Sequence, residues 1–244
     1  MRLHRFYIAE KIGSRQDMAV NSAELVNQIR KVFRLKTGDG VILFDGSGND
    51  YTCTISDQIK DDKNIVNFHI TGIVESRYMP ARDSRAVTLC AGIVKKDTFE
   101  WIVEKATELG VTKIIPIMAD RSEKKNLNED RLKKISIEAS EQSGRGDAPT
   151  IHPIISLKDS VEWGCDNKIS AVAFHTEGES FSKVGLAEKF KQSESLELFI
   201  GPEGGWSPEE IDLFHKNNIP VVCLGSQILR AETAVVASLA LVML

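Results

Sequence analysis

Residues 199–244 constrain this chain more than any other stretch: FIGPEGGWSPEEIDLFHKNNIPVVCLGSQILRAETAVVASLALVML. An apolar strand runs into a glycine turn, a capped helix, a second strand, a polar loop and a small-residue apolar helix. In an open parallel sheet, loops that follow strands lie at the strands' carboxyl ends, where ligands bind. The same rhythm reaches back to residue 86. Strands are expected at 86–94, at Lys113–Met118 and at 169–174, with a short edge-like segment at 151–155. Helices are expected at 97–109, 128–143, 157–163 and 183–191. Such alternation specifies an α/β fold with a mainly parallel sheet and helices on both faces.

The first 75 residues read differently. Strands at 3–8, 41–44, 51–56 and 64–74 alternate with Gly/Asp turns, and a single helix at 22–33 has Ser22 as its N-cap. Short strands with tight turns build a small β-barrel. Residues 75–85, ESRYMPARDSR, form a polar, proline-containing linker. The expected division is a β-barrel at 1–74, a linker at 75–85 and an α/β domain at 86–244.

Composition matters for what it excludes. Four dispersed cysteines without a C-x-x-C pair, and five scattered histidines, give neither a disulfide framework nor a metal-ligand spacing. No metal is expected. The N-terminus lacks a signal-peptide core, and the longest apolar run, 234–244, is too short to span a bilayer. A cytoplasmic protein without a membrane partner is expected. Net charge is −4, yet residues 1–36 hold eight Lys/Arg against three acids, whereas residues 37–80 hold three against seven. A basic arm on an acidic protein is a candidate phosphate-contacting face, solvated surface being the alternative. Its candidates are Arg2, His4, Arg5, Arg30, Arg34 and Lys36, joined by Arg121 and Arg145 from loops near strand ends.

Two stretches and one histidine carry chemistry. In Gly201-Pro202-Glu203-Gly204-Gly205, glycines let backbone approach a ligand, and Ser207, Pro208 and Glu210 start the next helix with a capping box. No Lys-Ser/Thr follows, and Glu203, Glu209 and Glu210 repel phosphate, so a neutral or cationic ligand suits the turn. In CLGSQILRAETA at 223–234, Arg230 suits a developing anion, and Glu232 suits proton acceptance or orientation of that arginine. The alternative is that Arg230 pairs with Glu232 or Glu203. His175 follows a strand directly and adds a third strand-end group.

The blocks HRFY at 4–7, VFRLKTGD at 32–39, EKATELGV at 104–111, EASEQSGR at 138–145, FIGPEGGW at 199–206 and LGSQILRAETA at 224–234 together resemble the RsmE family. These are bacterial 16S rRNA uridine N3-methyltransferases of the SPOUT superfamily. The resemblance implies a PUA-like RNA-binding barrel, a SPOUT domain with a trefoil knot, S-adenosyl-L-methionine as methyl donor and a homodimer acting on the small ribosomal subunit. It also implies a cofactor site. Ile200, Gly201, Pro202, Glu203, Gly204 and Gly205 form one wall, and Leu224, Gly225, Ile228 and Leu229 the other. Thr233 and Ala234 close it, with Phe174 and His175 nearby. The chain departs from the family at Gln227, where an arginine is usual, and at Asn27, where histidine is common. The rivals are a non-catalytic RNA-binding assembly factor and a methyltransferase for another position, such as a ribose 2′-hydroxyl.

Overall fold

The computed structural model describes residues 3–56, 64–76, 85–123, 126–181, 185–186, 190 and 192–243. The chain divides into two compact units, one of Met1–Met79 with Ser140–Ala148, the other of Pro80–Ala139 with Pro149–Leu244.

The first unit is a five-stranded sheet in the order β1-β3-β4-β5-β2. The strands are β1 (His4–Tyr7), β2 (Asp17–Asn21), β3 (Gly40–Phe44), β4 (Asn49–Ile55) and β5 (Ile65–Glu75). β1 pairs β3 in parallel, and the remaining ladders are antiparallel. Strand β2 was not expected from sequence, since DMAVN is too short and too mixed to show a period; β5 supplies its register. Ser22 caps helix α1 (Ala23–Asn27) by accepting the Leu25 N–H at 3.2 Å. The expected continuous helix then widens into a π-turn at Gln28–Val32. Phe6, Ile29, Val41, Leu43 and Phe68 are fully buried in this unit's core.

Two arginines expected to face RNA are instead turned into this unit. Arg5 forms a bidentate pair with Asp50 and donates to the Arg145 carbonyl at 2.9 Å. Arg145, 3% exposed, is held by Asp147 at 3.0 Å. Their charge is neutralised inside the unit, the usual condition for burying a guanidinium.

The second unit has a parallel sheet in the order β12-β10-β11-β6-β7-β8, with β9 also on β7. These strands are β6 (Ala86–Gly92), β7 (Lys113–Met118), β8 (Thr150–Ile151), β9 (Ile155–Ser156), β10 (Ser170–Ser180), β11 (Ser195–Ile200) and β12 (Val221–Cys223). The helices are α2 (Lys96–Glu108), α3 (Glu129–Ser143, counted with the first unit from Ser140 on), α4 (Leu157–Asp166), α5 (Pro208–Lys216) and α6 (Ala231–Met243). Alternate strand residues separate two cores. Leu89, Leu198 and Ile200 pack with Phe99 and Ile102 of α2 and Val235 and Leu239 of α6. On the opposite face Cys90, Ile117 and Phe199 pack with Val161 of α4 and Phe214 of α5. Most of the helix expected at 183–191, most of the linker at 75–85, and Arg2 lie outside the described residues.

Beneath α4 lies a buried charge. Glu197 is 1% exposed, and neither carboxylate oxygen has a hydrogen-bond partner. It stands beside Thr88 on β6, which in turn stands beside Lys113 on β7. Gly164 of α4 leaves room for it: a Cβ there would lie 2.3 Å from Glu197 Oε2. Burial pushes the carboxyl up to about 7, against the opposing pull of Lys113.

Candidate cofactor and active site

The site begins with an interruption of β10. Phe174 pairs with Val222 of β12, and five residues later Glu179 pairs with Val222 again. Residues 175–178 therefore leave the ladder between two contacts with one residue, as bulges beside functional sites do. Gly178 marks the return. A Cβ on it would lie 2.6 Å from the Val222 backbone, so the two strands close only because it has none.

A cavity of about 470 Å³ opens at the interruption of β10 and the carboxyl ends of β11 and β12. The bulge contributes Phe174, His175, Thr176 and Glu177; the turn after β11 contributes Ile200 through Gly205. Cys223, Leu224, Gly225, Gln227, Ile228, Leu229 and Arg230 follow from the loop after β12, with Ala231 and Ala234 from α6 and Arg121 from the loop after β7. Gly205 has φ +67 and donates its N–H to the Pro202 carbonyl at 2.8 Å, closing the turn in a conformation that disfavours a side chain.

Behind the turn the bracing is dense. Trp206, 1% exposed, packs edge-on against Phe214 at 5.3 Å and donates its indole N–H to the Phe174 carbonyl at 3.2 Å. Ser207 and Glu210 complete the capping box of α5. Glu210 also accepts the Asp120 N–H at 3.0 Å, and the Ser207 hydroxyl donates to Asp120 at 2.6 Å. Burial raises the Glu210 carboxyl above its ordinary value despite the N–H bonds it accepts. Arg121 donates to the Gly204 carbonyl at 2.9 Å. The loop after β7 thus clamps the glycine turn from outside.

The lining is electrostatically mixed. Among the described residues no lysine lines it, while Glu177, Glu203, Arg121 and Arg230 do. Arg230 is exposed at the edge and makes no ion pair with a carboxylate among the described residues, which removes the alternative of pairing with Glu232 or Glu203. No group of three or more His, Cys, Asp or Glu is placed to hold a metal among the described residues. No helix there is long and apolar enough to cross a membrane.

Residues 81–243 match the family described as RNA methyltransferase domain, and residues 25–65 match RNA methyltransferase PUA domain. Ribosomal RNA small subunit methyltransferase E of Rickettsia conorii is 31% identical over 245 residues, covering 100% of this chain and 96% of that protein. The chain belongs to the family of ribosomal RNA small subunit methyltransferase E. The Bacillus subtilis member is 30% identical over 222 residues, 87% of this chain and 84% of that one. Among solved structures, a Legionella pneumophila methyltransferase in complex with the cofactor SAM is 26% identical, with a TM-score of 0.85, covering 99% of this chain and 97% of that one. The Neisseria gonorrhoeae ribosomal RNA small subunit methyltransferase E, bound to S-adenosyl methionine, is 25% identical with a TM-score of 0.82, covering 98% of this chain and 96% of that one.

Within this family member, the tertiary structure gathers the expected cofactor residues with one exception. Phe174, His175, Ile200 through Gly205, Leu224, Gly225, Ile228, Leu229 and Ala234 all line the cavity; Thr233 does not. Of the expected catalytic residues Arg230 lines it, whereas Glu232 lies off it in the first turn of α6. Arg121, expected at RNA, stands at the cavity rim, while His4, Arg34 and Lys36 are exposed and Arg30 half-buried on the first unit. Thr176 and Glu177 are cavity residues that sequence reasoning missed. No local pattern marked them: HTEGES at 175–180 reads as a polar loop after the expected strand 169–174, and it is the second pairing with Val222 that carries β10 on to Ser180.

Proposed function

We propose that this protein methylates N3 of a specific uridine in the 16S rRNA of the small ribosomal subunit, using S-adenosylmethionine. The observation that carries this reading is the glycine-walled cavity at the ends of β11 and β12 and the interruption of β10, lined by no lysine among the described residues, with Arg230 on its edge in no ion pair among them. Its volume lies within the roughly 300–1,000 Å³ of small-molecule sites. Its chemistry fits the cofactor: the main chain of the Gly201–Gly205 turn lines the cavity, and Glu177 and Glu203 on its wall favour a cation over a phosphate. When bound, S-adenosylmethionine supplies an electrophilic methyl group on a cationic sulfonium.

The remaining work falls to the chain. N3 of uracil carries an imide proton and becomes a nucleophile as that proton leaves. In this reading the Arg230 guanidinium stands against a uracil carbonyl oxygen and stabilises the negative charge that develops there. Glu232, off the cavity, favours the start of α6 through the helix dipole. Residues 1–74 hold the RNA, residues 86–244 carry out the transfer, and 75–85 link them. The trefoil knot belongs to the same reading, supported by the way α6 returns from edge strand β12 to pack on α2 and β11. So does a homodimer, supported by Ile228 at 86% exposure and Leu241 at 51%. Ribosomal RNA as substrate places the protein in the cytoplasm.

The test is methylation of small subunits from cells lacking the activity, with mass spectrometry of digested rRNA. 3-Methyluridine is the expected product, and Arg230→Ala lowers kcat roughly 10²-fold while calorimetric affinity for S-adenosylmethionine holds. A 2′-O-methyl product, or no cofactor binding at all, overturns the reading.

A further inference from the structure

Three rings in the first unit run from its core to its surface. Phe6 on β1 is fully buried and meets Phe33 edge-on at 5.7 Å. Phe33 is half-buried and carries the His4 ring at 4.2 Å between centroids, inclined at 38°. His4 is exposed, and being two residues from Phe6 on the same strand it lies on the same face. The stack therefore ends on a solvent-facing ring whose tilt is fixed from below.

The backbone beside it is unusual. Phe33 follows the π-turn Gln28–Val32, and π-turns collect at functional sites. The next residue, Arg34, has φ +55, a conformation that costs a non-glycine residue about 1–3 kcal/mol and persists where the surroundings enforce it. The segment 30–36, RKVFRLK, holds four cations and no acid, and Lys31, Arg34 and Lys36 are exposed. Apolar surface lies among them, Val32 being 61% and Leu3 39% exposed. A solvated charged face does not call for exposed apolar surface and a ring stack.

We propose that this surface binds an unpaired nucleotide of the RNA substrate, its base stacked on His4 and its flanking phosphates on Arg34 and Lys36. Bases stack on aromatic and histidine rings only when they are free of their own stack, so the surface selects single-stranded over duplex RNA. An acidic protein segment would satisfy the cations but leave the ring stack unused. The inference deepens the rRNA reading above and rests on it.

The experiment uses the full chain and fluorescence anisotropy with a labelled single-stranded RNA oligonucleotide and its duplex at several salt concentrations. The wild type is expected to prefer the single strand. His4→Ala weakens single-strand binding about tenfold, His4→Tyr restores it, and calorimetric affinity for S-adenosylmethionine is the same in both. Arg34→Gly keeps the left-handed backbone without the charge, so folding stability holds while the salt slope falls by about 1. His4→Ala binding the single strand like wild type overturns the proposal. So does equal loss on duplex without rescue by tyrosine, or a loss seen on intact subunits and not on free RNA, which assigns the surface to a ribosomal protein. A wild type that neither binds nor methylates rRNA sinks the functional reading itself; an active wild type with an indifferent His4→Ala sinks this inference alone.

Discussion

The indole N–H of Trp206 donates to the main-chain carbonyl of Phe174 at 3.2 Å. It joins the glycine turn after β11 to the point where β10 leaves its ladder, and so sets two cavity walls in one register. The buried ring packs against Phe214. Shape and hydrogen bond can therefore be separated by substitution. Trp206→Phe keeps most of the packing and strands the Phe174 carbonyl, with an expected loss of about 1–3 kcal/mol in folding stability. Affinity for S-adenosylmethionine should fall several-fold, measured by chemical denaturation and calorimetry on the same preparation.

Gly178 permits the bulge by having no side chain. Gly178→Ala places a Cβ 2.6 Å from the Val222 backbone, which forces β10 and β12 apart. The expected cost is about 1–3 kcal/mol, with a loss of cofactor affinity that exceeds the loss from a Thr176→Ala control. Hydrogen exchange of the β12 amides reports the separation directly.

Glu210 accepts the N–H groups of Ser207 and Asp120 with its two oxygens. Glu210→Ala leaves the buried Ser207 N–H and the part-buried Asp120 N–H without this acceptor and loosens the glycine turn from the loop after β7. A destabilisation of roughly 2–4 kcal/mol is expected from two such losses. Glu210→Gln keeps one acceptor oxygen and should fall between wild type and alanine in thermal denaturation.

Glu197 makes stability depend on pH. Its carboxyl is raised from 4.5 to about 7 in the fold, so the folded state holds a proton that the unfolded chain has released between those values. Stability from this group is unaffected below about pH 4.5, falls as pH rises, and reaches its full penalty of roughly 3 kcal/mol above about pH 7. Glu197→Gln removes that dependence. The variant should match wild type near pH 4.5 and exceed it at pH 8.5 in urea denaturation, whereas parallel curves at both pH values count against a raised carboxyl.

Much of this molecule was legible in local pattern. The apolar spacing at 99, 102, 103 and 106 put one face of α2 in the core, because a period of 3.6 is a property of the segment itself. Ser207, Pro208 and Glu210 announced the start of α5 for the same reason. The glycine turn and the polar loop around Arg230 were visible as strand-end loops, and tertiary structure brought them into one cavity. What sequence could not supply was direction. Arg5 and Arg145 looked like surface cations, yet Asp50 and Asp147 draw them inside, since charge alone does not report burial. Glu232, beside Arg230 in sequence, is off the cavity, and Glu177 came into it through a bulge whose geometry is set by Val222, a residue 45 positions later. Periodicity and capping act within a few residues; the sites of buried charge and of bulged strands depend on partners that only the folded chain brings near.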